Sequence, residues 1–115
     1  NHAWMVPAGN GDRIRNNPRL KGLDLPPLGG DSTFRGPLLT RTLLIYALTA
    51  GGSKGGARLV AYDKATGKEL ASADLPGAAI GTPMTYLVDG KQYIAITVQG
   101  RTSTDIPELI ALTLP

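Results

Sequence analysis

The sequence predicts an all-β fold of short antiparallel strands. Three observations carry that expectation. Gly (15) and Pro (9) make up about a fifth of the 115 residues, against roughly 12% in average usage. No collagen-like period accompanies the excess, so the chain turns often. Between the turn residues lie short runs rich in Leu, Ile, Val, Thr and Tyr, the composition of strands. Two of the turns are specific signals, Lys64-Ala65-Thr66-Gly67 and Asp89-Gly90. Hydrophobic residues make up 42% of the chain, enough for a core, but aromatics only 5%. The core must therefore rest on Leu, Ile, Val and Ala.

The N-terminal segment, 1–37, opens on the apolar Trp4-Met5-Val6, closed by Pro7. The stretch GNGDRIRNNPRLKGLDLPPLGGDSTFRGP follows, rich in Gly, Asn and Pro. It is too long for an ordinary connection, and is either functional or packed on something this chain does not contain. One helical turn fits near Asp12–Arg15; Pro18 and Pro26-Pro27 limit anything longer.

Residues 38–75 read as strands Leu38–Thr40, Thr42–Leu48, Arg58–Asp63 and Lys68–Leu75, with the Gly-rich loop Ala50–Ala57 in between. In the turn after Arg58–Asp63, Asp63 can accept backbone N–H groups, and Gly67 can take the left-handed conformation. Asp63 is thereby structural rather than catalytic. Residues 76–115 hold Thr82–Val88 and Lys91–Val98, joined by Asp89-Gly90 in a tight type I′ hairpin. Alternation puts Met84, Tyr86 and Val88 on one face, Thr85 and Leu87 on the other. The polar loop Gly100–Pro107 leads to a last strand, Glu108–Leu114.

The two strand zones look like copies. Gly36-Pro37 and Thr82-Pro83 open them, and LVAYD at 59–63 is echoed by LIALT at 109–113. A period of about 40–50 residues with four short strands per unit is the pattern of a propeller blade. The other reading is a small β-sandwich with chance similarity.

Composition excludes several functions. With no Cys there are no disulfides, Cys-zinc sites or thiol catalysis. No apolar run reaches the length of about 18 residues that spans a membrane. The N-terminus has no basic-then-apolar signal pattern, so an export signal is expected to lie upstream or to have been removed. The net charge is +3 and spread out. The densest cationic cluster, Arg13, Arg15, Arg19 and Lys21, is broken by Asn and Pro, which reads as a solvated loop rather than a nucleic-acid face. His2 is a lone His at a terminus. Ser53, Ser72 and Ser103 have no His or Asp in motif spacing. The glycines at 51, 52, 55 and 56 lack phosphate-loop context.

The phrases AYDKATGK (61–68), Leu75-Pro76 and TPMTYLVDGKQY (82–93) resemble the C-terminal blades of pyrroloquinoline-quinone (PQQ) dependent dehydrogenases. GDRIRNNPRLKGLDLPPLG (11–29) and GPLLTRTLL (36–44) are similar to the membrane-linked sugar and alcohol dehydrogenase branch, glucose dehydrogenase-like. That resemblance implies about two four-stranded blades of an eight-bladed β-propeller, preceded by a long rim loop. It divides the chain into 1–37 (outer strand of a preceding blade plus the loop), 38–75 (penultimate blade) and 76–115 (last blade, three strands). The parent would be a periplasmic oxidoreductase that oxidises a sugar or alcohol with PQQ and calcium and passes electrons to membrane quinone.

By the same resemblance the metal ligands and the catalytic Asp lie in earlier blades. No catalytic or metal-binding residue is expected in this segment, and neither PQQ nor calcium is expected to bind it alone. Gly100, Arg101 and Thr102 are expected near the funnel mouth, where Arg101 could meet planar carboxylates. The family's repeat runs Ala-x-Asp-x-x-Thr-Gly-Lys-x-x-Trp, with the Trp stacked between blades. Ala61, Asp63, Thr66, Gly67 and Lys68 fit, but Ala71 stands at the Trp position. The expected partners are the remaining blades or other copies of the chain, with no nucleic acid. The alternative is a non-catalytic propeller scaffold of the same repeat type in envelope assembly.

Overall fold

The computed structural model describes residues 3–32, 36–100 and 106–113. Seven strands run in chain order: β1 (Leu38–Leu39), β2 (Leu43–Leu48), β3 (Arg58–Asp63), β4 (Glu69–Asp74), β5 (Met84–Val88), β6 (Lys91–Val98) and β7 (Glu108–Thr113). The first four make one antiparallel sheet in the order β1-β2-β3-β4, and the last three a second, β5-β6-β7. The all-β expectation holds, as two successive meanders. One sheet has four strands and the other three. Strand ends differ from the sequence expectation by one or two residues, as at Pro83, which has no N–H to donate to a ladder.

Both expected hairpins form. Asp89 and Gly90 have φ of 50° and 75°, the left-handed pair that a type I′ turn requires. Val88 pairs with Lys91 across it. The helical turn also forms, as α1 (Asp12–Arg15), followed by a 3-10 turn at Pro18–Leu20. No helix among the described residues is long and apolar enough to cross a membrane.

The central strands of the first sheet, β2 and β3, are covered on both faces, which is why LLIYAL and LVAY read as continuous apolar runs rather than alternating ones. Ile45, Ala47 and Leu59 pack against Ile94, Ile96 and Val98 of β6, forming the core between the sheets. Each large aliphatic buried there contributes on the order of 1.5–3 kcal/mol. The opposite face, Leu48, Val60 and Tyr62, is covered by Ala8 of the N-terminal segment. The second sheet has only one buried face. Its other side exposes Met84, Tyr86 and Val88, and Tyr86 stacks on Tyr93 with ring centroids 5.3 Å apart.

The connection between the sheets is close. Gln99 donates its N–H to the Ala78 carbonyl at 2.8 Å, and a side chain at Gly77 would collide with the Gln99 carbonyl. Residues 3–7, expected as the outer strand of a preceding blade, pair with no strand among the described residues. Trp4 is engaged elsewhere.

Candidate functional site: the turn after β3 and the loop that covers it

The turn after β3 is organised by one carboxylate. Asp63 Oδ1 accepts the N–H of Ala65 at 2.8 Å and of Thr66 at 3.1 Å. Its backbone carbonyl accepts Gly67 N–H at 2.8 Å, and its own N–H donates to Lys68 O at 2.7 Å. Gly67, at φ 76°, completes the reversal. The Trp4 indole lies against that glycine. A Cβ at position 67 would stand 2.6 Å from the ring, so only glycine admits the contact. Trp4 Nε1 donates to the Lys64 carbonyl at 2.9 Å. The chain's single Trp thus reaches from the N-terminal segment onto the turn glycine of the first sheet.

Beside this contact a cavity of about 240 Å³ lies between the N-terminal segment and the sheet, lined by Val6, Pro7, Asn10, Arg58, Tyr62 and Glu69. Arg58 pairs with Glu69 at 2.7 Å. Burial, and then the neighbouring Glu69, push the Tyr62 hydroxyl above its ordinary pKa. Such groups bind and orient, but no nucleophile–base pair joins them.

The loop is anchored by Asp31, only 2% exposed. Its carboxylate accepts Gly11 N–H at 3.0 Å, and its carbonyl accepts the Thr49 hydroxyl at 2.8 Å. A side chain at Gly9 would run into that carboxylate. Sequence reasoning passed over Asp31. The signal was present in Gly9, whose missing side chain leaves room for that carboxylate. It passed over the contact of Trp4 with Gly67 too, having read Trp4 as part of a strand.

Of the three residues expected at the funnel mouth, Gly100 follows β6 in the second sheet, half-buried. Arg101 and Thr102 lie outside the described residues, as does His2. Asp63 and Asp89 sit in turns. Asp74 accepts hydrogen bonds from the Ser53 hydroxyl and the Ser53 N–H, which hold its carboxyl below the ordinary value. Among the described residues no three of His, Cys, Asp and Glu converge to hold a metal ion. No chemical step is assigned to the described residues.

At Ala71, where a Trp would complete the repeat, the sheets part around a cavity of about 260 Å³. Ile45, Leu59, Ile94, Leu112 and Ala71 line it. The second repeat carries Thr113 where the first has Asp63.

Comparison with known proteins decides the family. The profile described as "PQQ: Glucose/ethanol/alcohol dehydrogenase, beta-propeller domain" matches residues 1–94. The chain belongs to this PQQ β-propeller family. It is 44% identical over 63 residues, 55% of its length, to a 1-butanol dehydrogenase (cytochrome c) of Thauera butanivorans, covering 8% of that protein. To a probable quinate dehydrogenase (quinone) of Xanthomonas campestris pv. juglandis it is 38% identical over 117 aligned positions, 98% of this chain and 14% of the relative. To the quinoprotein glucose dehydrogenase of Escherichia coli it is 36% identical over 70% of this chain and 9% of that enzyme. The crystal structure of the quinohemoprotein alcohol dehydrogenase from Comamonas testosteroni aligns with 55% of this chain and 9% of its own, at 36% identity and a TM-score of 0.47. The chain thus spans about a tenth of the length of the relatives it matches. These relatives are PQQ-family oxidoreductases, and the blade-like sheets belong to that family's propeller.

Proposed function

We propose that this chain is the C-terminal part of a periplasmic quinoprotein dehydrogenase that oxidises a sugar or alcohol with PQQ and passes the electrons to membrane quinone. The family match over residues 1–94 carries the reading. The quinone acceptor is favoured by coverage. The relatives named for quinone align with 85% and 98% of this chain, whereas the one named for cytochrome c aligns with 55%.

The cofactor performs the redox chemistry in such enzymes, and the protein supplies binding, orientation and electrostatics. PQQ and calcium are held by blades outside these residues in an eight-bladed ring. This segment builds two of its walls and part of its rim. Its own residues fix blade position: Trp4 on Gly67, Asp63 in the turn, Asp31 under the loop. Gly100, Arg101 and Thr102 lie toward the funnel, where Arg101 meets a carboxylate of the cofactor or a substrate hydroxyl. The partners are the remaining blades.

The test is direct. The complete polypeptide is purified, supplied with PQQ and calcium, and assayed with a dye acceptor against a short alkanol, glucose and quinate. PQQ-dependent oxidation of at least one is expected, with none from residues 1–115 alone. Absence of PQQ-dependent oxidation by the complete protein, or turnover by the segment alone, would overturn the reading.

A further inference from the structure

The loop between residues 8 and 31 is held in shape by its own polar groups. Its two arms are zipped at the base: Leu28, Gly29 and Asp31 donate to the carbonyls of Asn10, Gly9 and Ala8, each at 3.0 Å. Between them the chain makes linked turns, with Asn17 N–H on Ile14 O, Leu20 N–H on Asn17 O and Leu23 N–H on Leu20 O. Arg15 then ties the far arm. Its guanidinium donates to the carbonyls of Leu25, at 2.8 Å, and Pro26, and reaches Asn10 O at 3.4 Å.

The tip of the lobe nevertheless leaves aliphatic side chains uncovered. Neither α1 nor the 3-10 turn contains a buried residue, and Ile14 and Leu23 are 58% and 59% exposed. Among the described residues Arg13, Arg19 and Lys21 have no carboxylate partner; the ion pair there is Arg58–Glu69. Fixing the backbone opposes folding at every residue, and a net hydrogen bond returns only part of that cost. A lobe shaped largely by polar groups, with Ile14 and Leu23 left exposed, is pre-organised for a surface that buries them.

We propose that the lobe, residues 11–28, docks onto another part of the same polypeptide, outside residues 1–115, through an apolar surface rimmed by Asp or Glu. The inference rests on the reading that this chain is part of a longer dehydrogenase. The observations select that occupant. The matched relatives are roughly ten times longer than this chain, so a large protein surface stands beside it. The aliphatics Ile14 and Leu23 call for an apolar seat, and three unpaired cations call for acids around it. An anionic lipid surface fits less well. Such sites use clusters of about 4–8 basic residues and an apolar face with Trp or Phe; residues 11–28 contain no aromatic.

The test uses the complete, native polypeptide. Trypsin is applied, and cleavage after Arg13, Arg19 and Lys21 is followed by mass spectrometry. Protection of about 100-fold over the denatured protein is expected, as for an ordered, covered segment. Carbodiimide should join Lys21 to an Asp or Glu outside residues 1–115. The double substitution Ile14→Glu/Leu23→Glu should speed cleavage at these bonds by about tenfold. Should that variant fail to fold, wild-type protection and the Lys21 cross-link still decide. Rapid cutting in the native protein overturns the proposal. So do cross-links confined to residues 1–115 or joining two copies. Sedimentation with phosphatidylserine vesicles that is lost in Arg13→Glu/Arg19→Glu/Lys21→Glu also overturns it. PQQ-dependent dye reduction on the same preparation separates the two ideas. An active enzyme with an exposed lobe removes this inference alone, and an inactive protein with a covered lobe removes the functional reading alone.

Discussion

Two glycines with the same backbone geometry have different jobs. Gly67 and Gly90 have φ of 76° and 75°. A Cβ at Gly90 meets nothing within 4 Å, whereas at Gly67 it meets the Trp4 ring at 2.6 Å. Gly90→Ala should therefore cost only the left-handed strain, about 1–2 kcal/mol. Gly67→Ala should add overpacking to that strain, for a total of about 2–5 kcal/mol. In a Trp4→Ala background the Gly67→Ala cost should fall back to about 1–2 kcal/mol. Denaturant unfolding of the four variants measures all of this. Equal costs for the two glycines in the wild-type background would show that Trp4 does not rest on the turn.

Tyr62 gives a pH signature at the same scale. Burial first, and Glu69 second, raise its hydroxyl above the ordinary 10.0. The folded chain thus holds that proton more tightly than the unfolded one. The stability this confers is complete below a pH of about 10 and is lost as pH rises through the folded-state value. Melting temperature followed from about pH 8 to about pH 11.5 should fall at the alkaline end. Tyr62→Phe should flatten part of that fall; an unchanged alkaline limb would show that Tyr62 does not titrate as described.

The elements show what a sequence can and cannot reveal. Local chemistry was readable. Asp89-Gly90 and Asp63…Gly67 name their turns because only certain residues accept those dihedrals, and the strands between them follow. Contacts across long separations were not. Trp4 and Gly67 are 63 positions apart, and no periodicity joins them. Asp31 looked like one more loop acid until the fold placed Gly9, Gly11 and Thr49 around it. The site residues Arg101 and Thr102 lie outside the described residues, so that expectation awaits the complete protein. Ala71 joins the two kinds of information. The repeat marked it as a missing Trp, and the structure shows the cavity of about 260 Å³ left there between the sheets. Ala71→Trp should fill that space and stabilise by about 0.5–2 kcal/mol, as cavity-filling changes do. The readout is a rise in melting temperature of the polypeptide that carries it. A fall would mean that the gap is shaped for something other than an indole.

At the scale of the whole molecule, the two sheets do not close on themselves. The second sheet ends at β7, which pairs with β6 on one side and with no strand on the other among the described residues. Open strand edges recruit other chains. On the same sheet Met84, Val88 and Leu109 stand exposed, on the face opposite the core. One sheet packed on another needs a third layer to bury that side, and a domain of this size buries too little surface to leave it open without penalty. A free-standing monomer is therefore not expected. Residues 1–115 made alone should self-associate through the β7 edge and this face, and the complete polypeptide should cover both. Light scattering at micromolar concentration tests the first half, with a mass above 12.0 kDa expected. Hydrogen exchange of the β7 amides tests the second, with slower exchange in the complete protein than in the segment. A monodisperse 12.0 kDa particle with a cooperative melt would refute the argument, because two sheets with an open edge and an uncovered face would then have proved sufficient.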